Sequence, residues 1–425
     1  MLLLKEGNGK KLMTWAKFRY TQAELAVLKK GMPMDASVGR SDRIAQASCV
    51  PPRLVFVDNL RWVMIVLVVS MHAAVTYSHL GSWYFMEDPK PGLAVLAVFA
   101  TYQVFLQAFF MGLLFLVAGY FVPAALDRKG WRGFIHDRAV RLGIPSLVYM
   151  LVIHPFTVYW LLRDFFEPAR PSLLREYPSY ILSGRFLGSS GPMWFAVALL
   201  IFSAMYAFAK RHAVVRNKPD SDLPGNAHVF LLALAIAVCA FAIRIIQPMG
   251  TNVLNMQLCF FSQYVILFAV GILARRRNWL VRIPYAFGMR WFVWTAIIGT
   301  AAWAALLGAL LHTHTQDKLG GGFTWQSAAF SFWESFFCVG VCLGLLVLFR
   351  ERFNHQGKLA RWLSDNSFAV YMFHTPVLIA VTLAMRGFEA PKLVKFGCAT
   401  ILGVVFTYAA SSLLFRRIPL LRRVL

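Results

Sequence analysis

The first strongly apolar segment of the chain contains side chains that can do chemistry. It reads FVDNLRWVMIVLVVSMHAAVTYSH and carries Asp58, Arg61, His72 and His79. In a helix, Arg61 and His72 differ in direction by about 20°, and Asp58 lies one turn before Arg61. His79 falls on the same face. Because charged groups are costly inside a membrane, this polar stripe is predicted to face protein or water rather than lipid.

The spacing along this helix suggests two different tasks. Arg61 lies near one end, where Asp58 can pair with it, and His72 lies about 16 Å further along the axis. Histidine is the side chain best suited to moving protons near neutral pH. The cation at one depth could bind an anionic donor that enters from one side of the membrane. The imidazole at the other depth could act on a hydroxyl acceptor that arrives from the opposite side. The alternative is a structural pair between helices, without catalysis.

Ten apolar segments account for most of the chain. Of its 425 residues, 59% are hydrophobic and 15% are charged, which excludes a soluble globular enzyme. A helix crosses a bilayer with about 20 such residues. We therefore predict an all-α fold, a polytopic bundle of about ten transmembrane helices embedded in the lipid bilayer. The segments are 55–77, 93–123, 143–162, 192–209, 229–246, 257–274, 291–311, 323–349, 368–385 and 393–414.

The formal net charge of +24 would by itself suggest nucleic acid as a partner. Most of the 43 Lys and Arg residues, however, lie in alternate loops and in the two terminal segments. This alternation is the positive-inside pattern, so we predict an inner (plasma) membrane protein with cytoplasmic termini and no nucleic-acid binding. Residues 1–53 are then a basic cytoplasmic tail, and residues 54–425 are one membrane domain.

Several further residues are weaker candidates for function. Arg138 and Arg141 precede the third segment and can bind either phosphates or anionic lipid. Trp194 begins the fourth segment, where a tryptophan at the membrane interface is the ordinary interpretation. His374 precedes a Thr-Pro pair in NSFAVYMFHTPV and is either functional or structural. Glu334 is an isolated acid in the eighth segment, and the sequence indicates no partner for it.

Two features of the predicted external side stay open. The external loop from 163 to 191 mixes acidic and aromatic residues with Pro and Gly. Such a loop can recognise carbohydrate, or it can be a plain solvated connector. Arg244, near the end of the fifth segment, is assigned by the charge pattern to the next external loop.

Six features in the same order resemble the membrane acyltransferase-3 family over about residues 53–425. One is the spacing of Arg61 and His72 in the first segment. The others are FFMGLLFLVAGYFVPAALDRKG, DRAVRLGIPSLVY, GPMWFAVALLIFS, SQYVILFAVGILARRRNW and SDNSFAVYMFHTPV. Within the family, the chain looks most like the stand-alone branch that includes glucan-succinylating membrane proteins. The resemblance implies an inner-membrane enzyme that transfers acetyl or succinyl groups from acyl-CoA to a hydroxyl of extracytoplasmic carbohydrate.

The resemblance implies roles for Arg61, His72, Arg138, Arg141 and Trp194, and the residues themselves suggest the other roles. The family's arginine and histidine correspond to Arg61 and His72, with His72 as general base or, alternatively, as transient acyl carrier. Asp58 then orients Arg61. The residues expected to bind the donor's phosphates are Arg138, Arg141, Arg275 and Arg276. The residues expected at the acceptor site or tunnel are Trp194, Tyr371 and His374. We expect no bound cofactor and no metal, since acyl-CoA is a co-substrate.

The rival interpretation is a secondary transporter or flippase for a lipid-linked or anionic substrate. Many crossings and an intramembrane Arg and His are typical of such proteins too. Transporters, however, often carry matched interrupted helices in two halves of the chain, and this sequence has no such pair.

Overall fold

The computed structural model describes residues 53–166, 169–212 and 223–413. Apart from an isolated bridge between Val253 and Met256, the regular structure of these residues is helical. The longer helices are α1 (Val55–Ser78), α2 (Leu93–Arg138), α3 (the helical run 139–166), α4 (Leu173–Leu182), α5 (Trp194–His212), α6 (Asn226–Ile246), α7 (Phe261–Arg276), α8 (Tyr285–Thr313), α9 (Trp325–Arg352), α10 (Lys358–Ala384) and α11 (Lys392–Leu413). The predicted all-α membrane bundle is confirmed. The predicted tail lies outside the described residues, except for Arg53.

Nine helices in the described part of the chain are long and apolar enough to cross a membrane. One of them is the continuous segment Leu93–Phe165, whose 73 residues contain two of the ten predicted crossings. A single crossing needs only about 20 residues. The segment bends at Gly130, where φ is 67° and ψ is 171°. Glycine adopts this positive φ without a steric penalty, so α2 can turn there before it continues.

Contacts between the start of α1 and the segment after α9 support two crossings for this long segment. Asn59, at the start of α1, donates hydrogen bonds to the carbonyl oxygens of Phe353 (2.7 Å) and His355 (2.8 Å), just after α9. The start of α1 and the end of α9 therefore lie on one side of the membrane. With one crossing for α1 and for each of α5 to α9, this is possible only if 93–166 crosses an even number of times. Over residues 53–166, 169–212 and 223–413, this agrees with the ten predicted crossings.

Helix α1 lies inside the bundle, in contact with α2, α10 and α11. Most of its side chains are buried, and the hydroxyl of Ser70 forms a 2.5 Å hydrogen bond with that of Tyr102 in α2. The loop after α1 is fixed by Glu87, whose carboxylate pairs with Lys392 (3.0 Å) and Lys395 (2.8 Å) of α11. The helix is thus held at both ends, which fixes the direction of its polar side chains.

The polar stripe predicted on α1 is shorter than expected. The helix ends at Ser78, and His79 takes a left-handed conformation with φ 59°. A ring nitrogen of His79 lies 3.0 Å from the carbonyl oxygen of Glu87. The prediction that His79 shares the helical face of His72 is therefore wrong, because a helical periodicity does not extend beyond the residue that ends the helix.

Prolines shape α3. Pro145 and Pro155 lack the N–H that an α-helix needs, and each follows a π-helical turn, Ala139–Gly143 and Tyr149–Ile153. Such turns rotate the side chains that follow them and are frequent at functional sites. In this helix they place Tyr149 and His154 against the loop that follows α1.

Candidate active site

His72 belongs to a stack of three rings inside the bundle. Its imidazole is nearly parallel to the indole of Trp83, with ring centroids 3.9 Å apart and an interplanar angle of 13°. The imidazole of His374 is also nearly parallel, 5.3 Å from that of His72 and 6.4 Å from the indole. Helix α1, the loop after it and α10 contribute one ring each. The half-buried His72 therefore faces protein rather than lipid.

The hydrogen bonding of His374 fixes its tautomer. Nδ1 lies 2.8 Å from the carbonyl oxygen of Tyr371, and because a carbonyl only accepts, Nδ1 donates. A neutral His374 then carries its lone pair on Nε2. That atom is buried and has no hydrogen-bond partner among the described residues. Since an unsatisfied buried acceptor costs free energy, a hydroxyl group brought to Nε2 would be stabilised there.

Tyr371 joins the stack to the turn before α5. Its hydroxyl donates a hydrogen bond to the carbonyl oxygen of Pro192, in the short turn Gly191–Met193. Gly191 has a φ of 48°, and a Cβ at this position would collide with the phenol ring of Tyr149. Both contacts place this turn next to the ring stack. Tyr371 contacts His374, which in turn lies against His72.

Trp194 takes part in a different aromatic cluster. Its ring lies 5.7 Å from that of Tyr264 in α7, at 29°, and 6.4 Å from that of Phe115 in α2. These contacts join three helices at the start of α5. The place of Trp194 in an acceptor site or tunnel stays a prediction.

Sequence reasoning missed the side chains that surround the stack on the side away from Arg61. Tyr84 directly follows Trp83, and its hydroxyl lies 3.1 Å from that of Tyr149 and 3.0 Å from Nδ1 of His154. Burial holds the pKa of the Tyr84 phenol well above its ordinary value, so the hydroxyl keeps its proton at physiological pH. The ring of His154 in turn stacks on Tyr180 of α4, with centroids 5.9 Å apart.

A line of rings thus leads from the predicted external loop to the intramembrane histidine. Tyr180 lies in that loop, and Trp83 and Tyr84 lie in the short connection after α1. The available signal was an aromatic pair in a loop directly after the helix that carries a histidine. Periodicity could not use this signal, because loop residues have no regular spacing.

The opposite end of α1 is cationic. Arg61 is 54% exposed, and its guanidinium lies 3.9 Å from the carboxylate of Asp58. Arg138 is close enough to Arg61 and Arg141 to be repelled by their charges. Its guanidinium also lies 5.1 Å from the centre of the Phe134 ring. Arg61 therefore lies within electrostatic range of Arg138, one of the two arginines that precede the third apolar segment.

One further acid takes part in this cationic cluster. The carboxylate of Asp137 lies 2.6 Å from Nζ of Lys129 and 3.1 Å from Nε of Arg141. Positive charge is in excess in this cluster, because two carboxylates, Asp58 and Asp137, lie among four cations. The cations are Lys129, Arg61, Arg138 and Arg141. A surface of this kind raises the local concentration of anionic ligands.

Arg275 and Arg276 contact aromatic side chains. The guanidinium of Arg275 lies 5.5 Å from the ring centre of Tyr120, and that of Arg276 donates a 2.6 Å hydrogen bond to the hydroxyl of Tyr206. These contacts fix the end of α7 against α2 and α5. A role for the pair in binding a donor stays a prediction.

The site therefore combines an accessible cationic end with a half-buried imidazole about 16 Å further along the same helix. Both groups belong to α1, so one helix joins the accessible end to the imidazole. The composition of the site suits transfer of a group between an anionic carrier and a hydroxyl compound.

The fold and the site define a multi-pass membrane protein with a reaction centre inside its helical bundle. Comparison with protein families identifies the class more narrowly. The family model described as an acyltransferase domain matches residues 54–416. The chain belongs to the acyltransferase-3 family. The resemblance deduced from the sequence motifs is confirmed, and the protein is a membrane acyltransferase.

Individual relatives share a single description. The chain is similar to proteins called Glucans biosynthesis protein C from Salmonella agona (strain SL483), Salmonella paratyphi A (strain ATCC 9150 / SARB42) and Salmonella enteritidis PT4 (strain P125109). In each case 23% of 399 aligned residues are identical, which covers 88% of this chain and 95% of the relative. No solved structure matches the chain.

Proposed function

We propose that the protein transfers an acyl group, acetyl or succinyl, from cytoplasmic acyl-CoA to a hydroxyl of an extracytoplasmic carbohydrate. The observation that carries the proposal is the position of His72, a half-buried imidazole that shares α1 with the exposed Arg61. The names of the relatives, which refer to the biosynthesis of glucans, support carbohydrate as the acceptor. The positive-inside pattern supports an inner-membrane protein with cytoplasmic termini.

The reaction needs one base and one leaving group. His72 removes the proton from the acceptor hydroxyl while its oxygen attacks the carbonyl carbon of the thioester. The new C–O bond forms, the C–S bond breaks, and the protonated imidazole returns its proton to the sulfur of CoA. In a two-step alternative, His72 itself carries the acyl group between donor and acceptor.

The remaining residues hold the two substrates in place. Arg61, oriented by Asp58, is next to the path of the donor, and Arg138 and Arg141 bind its phosphates through charge-assisted hydrogen bonds. Arg275 and Arg276 add to the positive potential at this face. On the acceptor side, Nε2 of His374 accepts a hydrogen bond from a sugar hydroxyl. Tyr371 fixes this ring, and Trp194 lines the tunnel or stacks on a sugar.

The decisive experiment uses the full chain in proteoliposomes with labelled acetyl-CoA or succinyl-CoA and a glucan acceptor. The variant His72→Ala should lose transfer by about 10²–10⁴-fold, the usual contribution of a general base. The exposed His312 provides a matched control, and His312→Ala should transfer normally. Thermal unfolding of both variants in detergent should resemble that of the wild type.

Two results would overturn the proposal. Full transfer by His72→Ala would remove the base from the mechanism. Uptake of the labelled compound into vesicles without thioester cleavage would favour the transporter.

The acceptor can be identified in cells. Periplasmic oligosaccharides and surface glycans of a deletion strain should lack the mass of one acetyl or one succinyl group when compared by mass spectrometry with those of the parent strain. An unchanged glycan profile would contradict a carbohydrate acceptor.

A further inference from the structure

A shallow, open cavity lies at the bend between the two halves of α2, close to the cationic cluster but separate from it. Its volume is about 330 Å³, and it is lined by Trp131, Arg132 and Arg211. This volume falls at the lower end of the range of small-molecule sites. The residues that line it come from two different helices, since Arg211 lies at the end of α5.

Local contacts fix the residues that line this cavity. Trp131 directly follows Gly130, the residue at which α2 bends, and its side chain is half-exposed. The guanidinium of Arg211 lies 5.2 Å from the centre of the Trp131 ring. Next to Arg211, Lys210 forms an ion pair with Asp127, which ties the end of α5 to α2. The two helices therefore present one flat aromatic surface and two guanidinium groups to the same space.

This combination fits a particular class of ligand. Adenine and other bases stack on indole and guanidinium planes, and arginine binds phosphate groups with two parallel hydrogen bonds. A nucleotide offers both groups in one molecule. A lipid headgroup offers phosphate alone and has no base to stack on the indole.

The position of the cavity along the donor's path adds a second argument. Trp131 and Arg138 are seven residues apart on one helical segment, so they lie about 10 Å apart and differ in direction by about 20°. The buried Phe134 lies between them, under the guanidinium of Arg138. Arg138 is within electrostatic range of Arg61, so the cavity lies one helical segment away from the cationic end of α1.

We infer that the cavity lined by Trp131, Arg132 and Arg211 binds the adenine nucleotide end of acyl-CoA. The inference rests on the proposed function, because it assigns a binding site to the nucleotide end of the same acyl-CoA donor. The base stacks on Trp131, and Arg132 and Arg211 bind the 3′-phosphate of the nucleotide. The diphosphate stays with Arg138 and Arg141, and the acyl arm extends past Arg61 towards the ring stack.

The test compares two donors that differ only in the nucleotide. Transfer is measured with acetyl-CoA and with S-acetyl-pantetheine, using the full chain in vesicles of neutral lipid. Trp131→Ala and Arg211→Gln should each raise the KM for acetyl-CoA by about tenfold, as expected when one stacking or charged contact is lost. The KM for S-acetyl-pantetheine should stay unchanged, and Trp131→Phe should retain most of the preference for acetyl-CoA.

Arg128 provides a matched control, because it lies three residues before Trp131, is exposed, and does not line the cavity. Arg128→Gln removes the same charge and should leave both KM values unchanged. Binding of adenosine 3′,5′-bisphosphate, measured by equilibrium dialysis, tests the cavity without turnover. The wild type and Arg128→Gln should bind it, and Arg211→Gln should bind it about tenfold more weakly.

Equal effects of Trp131→Ala on both donors would overturn the inference. So would changes that occur only when anionic phosphatidylglycerol is added, since the cavity would then be a lipid headgroup site. A wild type that binds the bisphosphate but transfers from neither donor would contradict the proposed function and leave the nucleotide site standing. Normal transfer with bisphosphate binding that Arg211→Gln does not weaken would contradict the nucleotide site alone.

Discussion

Two arginines in apolar helices of this protein have opposite surroundings. Arg244 in α6 is fully buried, and its guanidinium lies 2.5 Å from the carboxylate of Glu334 and 3.0 Å from the hydroxyl of Ser331. Arg61 in α1 is 54% exposed and lies 3.9 Å from its acid. The first charge is enclosed with its partner, whereas the second is next to other cations at an accessible end.

The comparison separates two uses of charge in a membrane protein. Arg244 also lies between the rings of Phe260 and Phe330, at 5.3 and 4.9 Å, so protein atoms surround it on several sides. A charge that is paired and enclosed in this way joins helices, and a ligand has no access to it. Arg61 can meet an anion that arrives from solvent, and the repulsion among neighbouring cations favours such binding.

The largest effect is expected from Arg244→Met. The substitution leaves the carboxylate of Glu334 buried without its cation, which in proteins typically costs about 3–5 kcal/mol. The variant should unfold at much lower temperature or denaturant concentration in mild detergent, and its loss of activity should follow its loss of folded protein. Circular dichroism during unfolding measures the change.

The double variant Arg244→Met with Glu334→Leu provides the control. Replacing a whole buried ion pair by apolar residues is often nearly neutral, so this variant should recover most of the stability. A single variant Arg244→Met as stable as the wild type would show that the pair does not join α6 to α9.

A smaller and different effect is expected from Arg61→Gln. Loss of one charge-assisted contact with the donor is worth about 1.5–3 kcal/mol, so the KM for acyl-CoA should rise by about tenfold to a hundredfold. Stability should change by less than about 1 kcal/mol, because exposed ion pairs contribute little. Steady-state kinetics and thermal unfolding of the same preparation separate the two quantities.

Arg53, just before α1, serves as the control for net charge in this experiment. Arg53→Gln removes one positive charge from the same end of the helix and should leave the KM within about twofold, since scattered surface charges act weakly through salt. If Arg61→Gln instead unfolded the protein and left the KM of the folded fraction unchanged, the contrast with Arg244 would disappear.

The same contrast shows what a sequence can and cannot predict. The common face of Arg61 and His72 follows from helical geometry within one segment, and the all-α membrane fold follows from composition and from runs of about 20 apolar residues. The partner of Glu334 could not be named, because Arg244 is 90 residues away in sequence and nothing local indicates which helices become neighbours. The charge pattern even assigned Arg244 to an external loop, although it lies inside α6 and is buried.

The ring stack was predictable only in part, for the same reason. His72 and His374 stood out as histidines in apolar segments, but their contact depends on how α1 packs against α10. Trp83 lies in a loop, where spacing carries no information about direction. Its contact with His72 is therefore a property of the folded chain alone.

The smallest effect is expected at Trp83, a positioning residue that acts through the imidazole. Trp83→Leu keeps apolar volume and removes the ring, and a stacked aromatic pair contributes about 0.5–1.5 kcal/mol beyond area burial. We therefore expect kcat to fall by about twofold to tenfold with an unchanged KM for acyl-CoA, because the imidazole is less well oriented while the donor contacts are intact. Trp83→Phe, which restores a ring next to His72, should recover most of kcat. The opposite result would be a loss of kcat in Trp83→Leu that is fully explained by lower thermal stability, with no recovery of kcat in Trp83→Phe. Trp83 would then be a packing residue, and the site would consist of its two histidines.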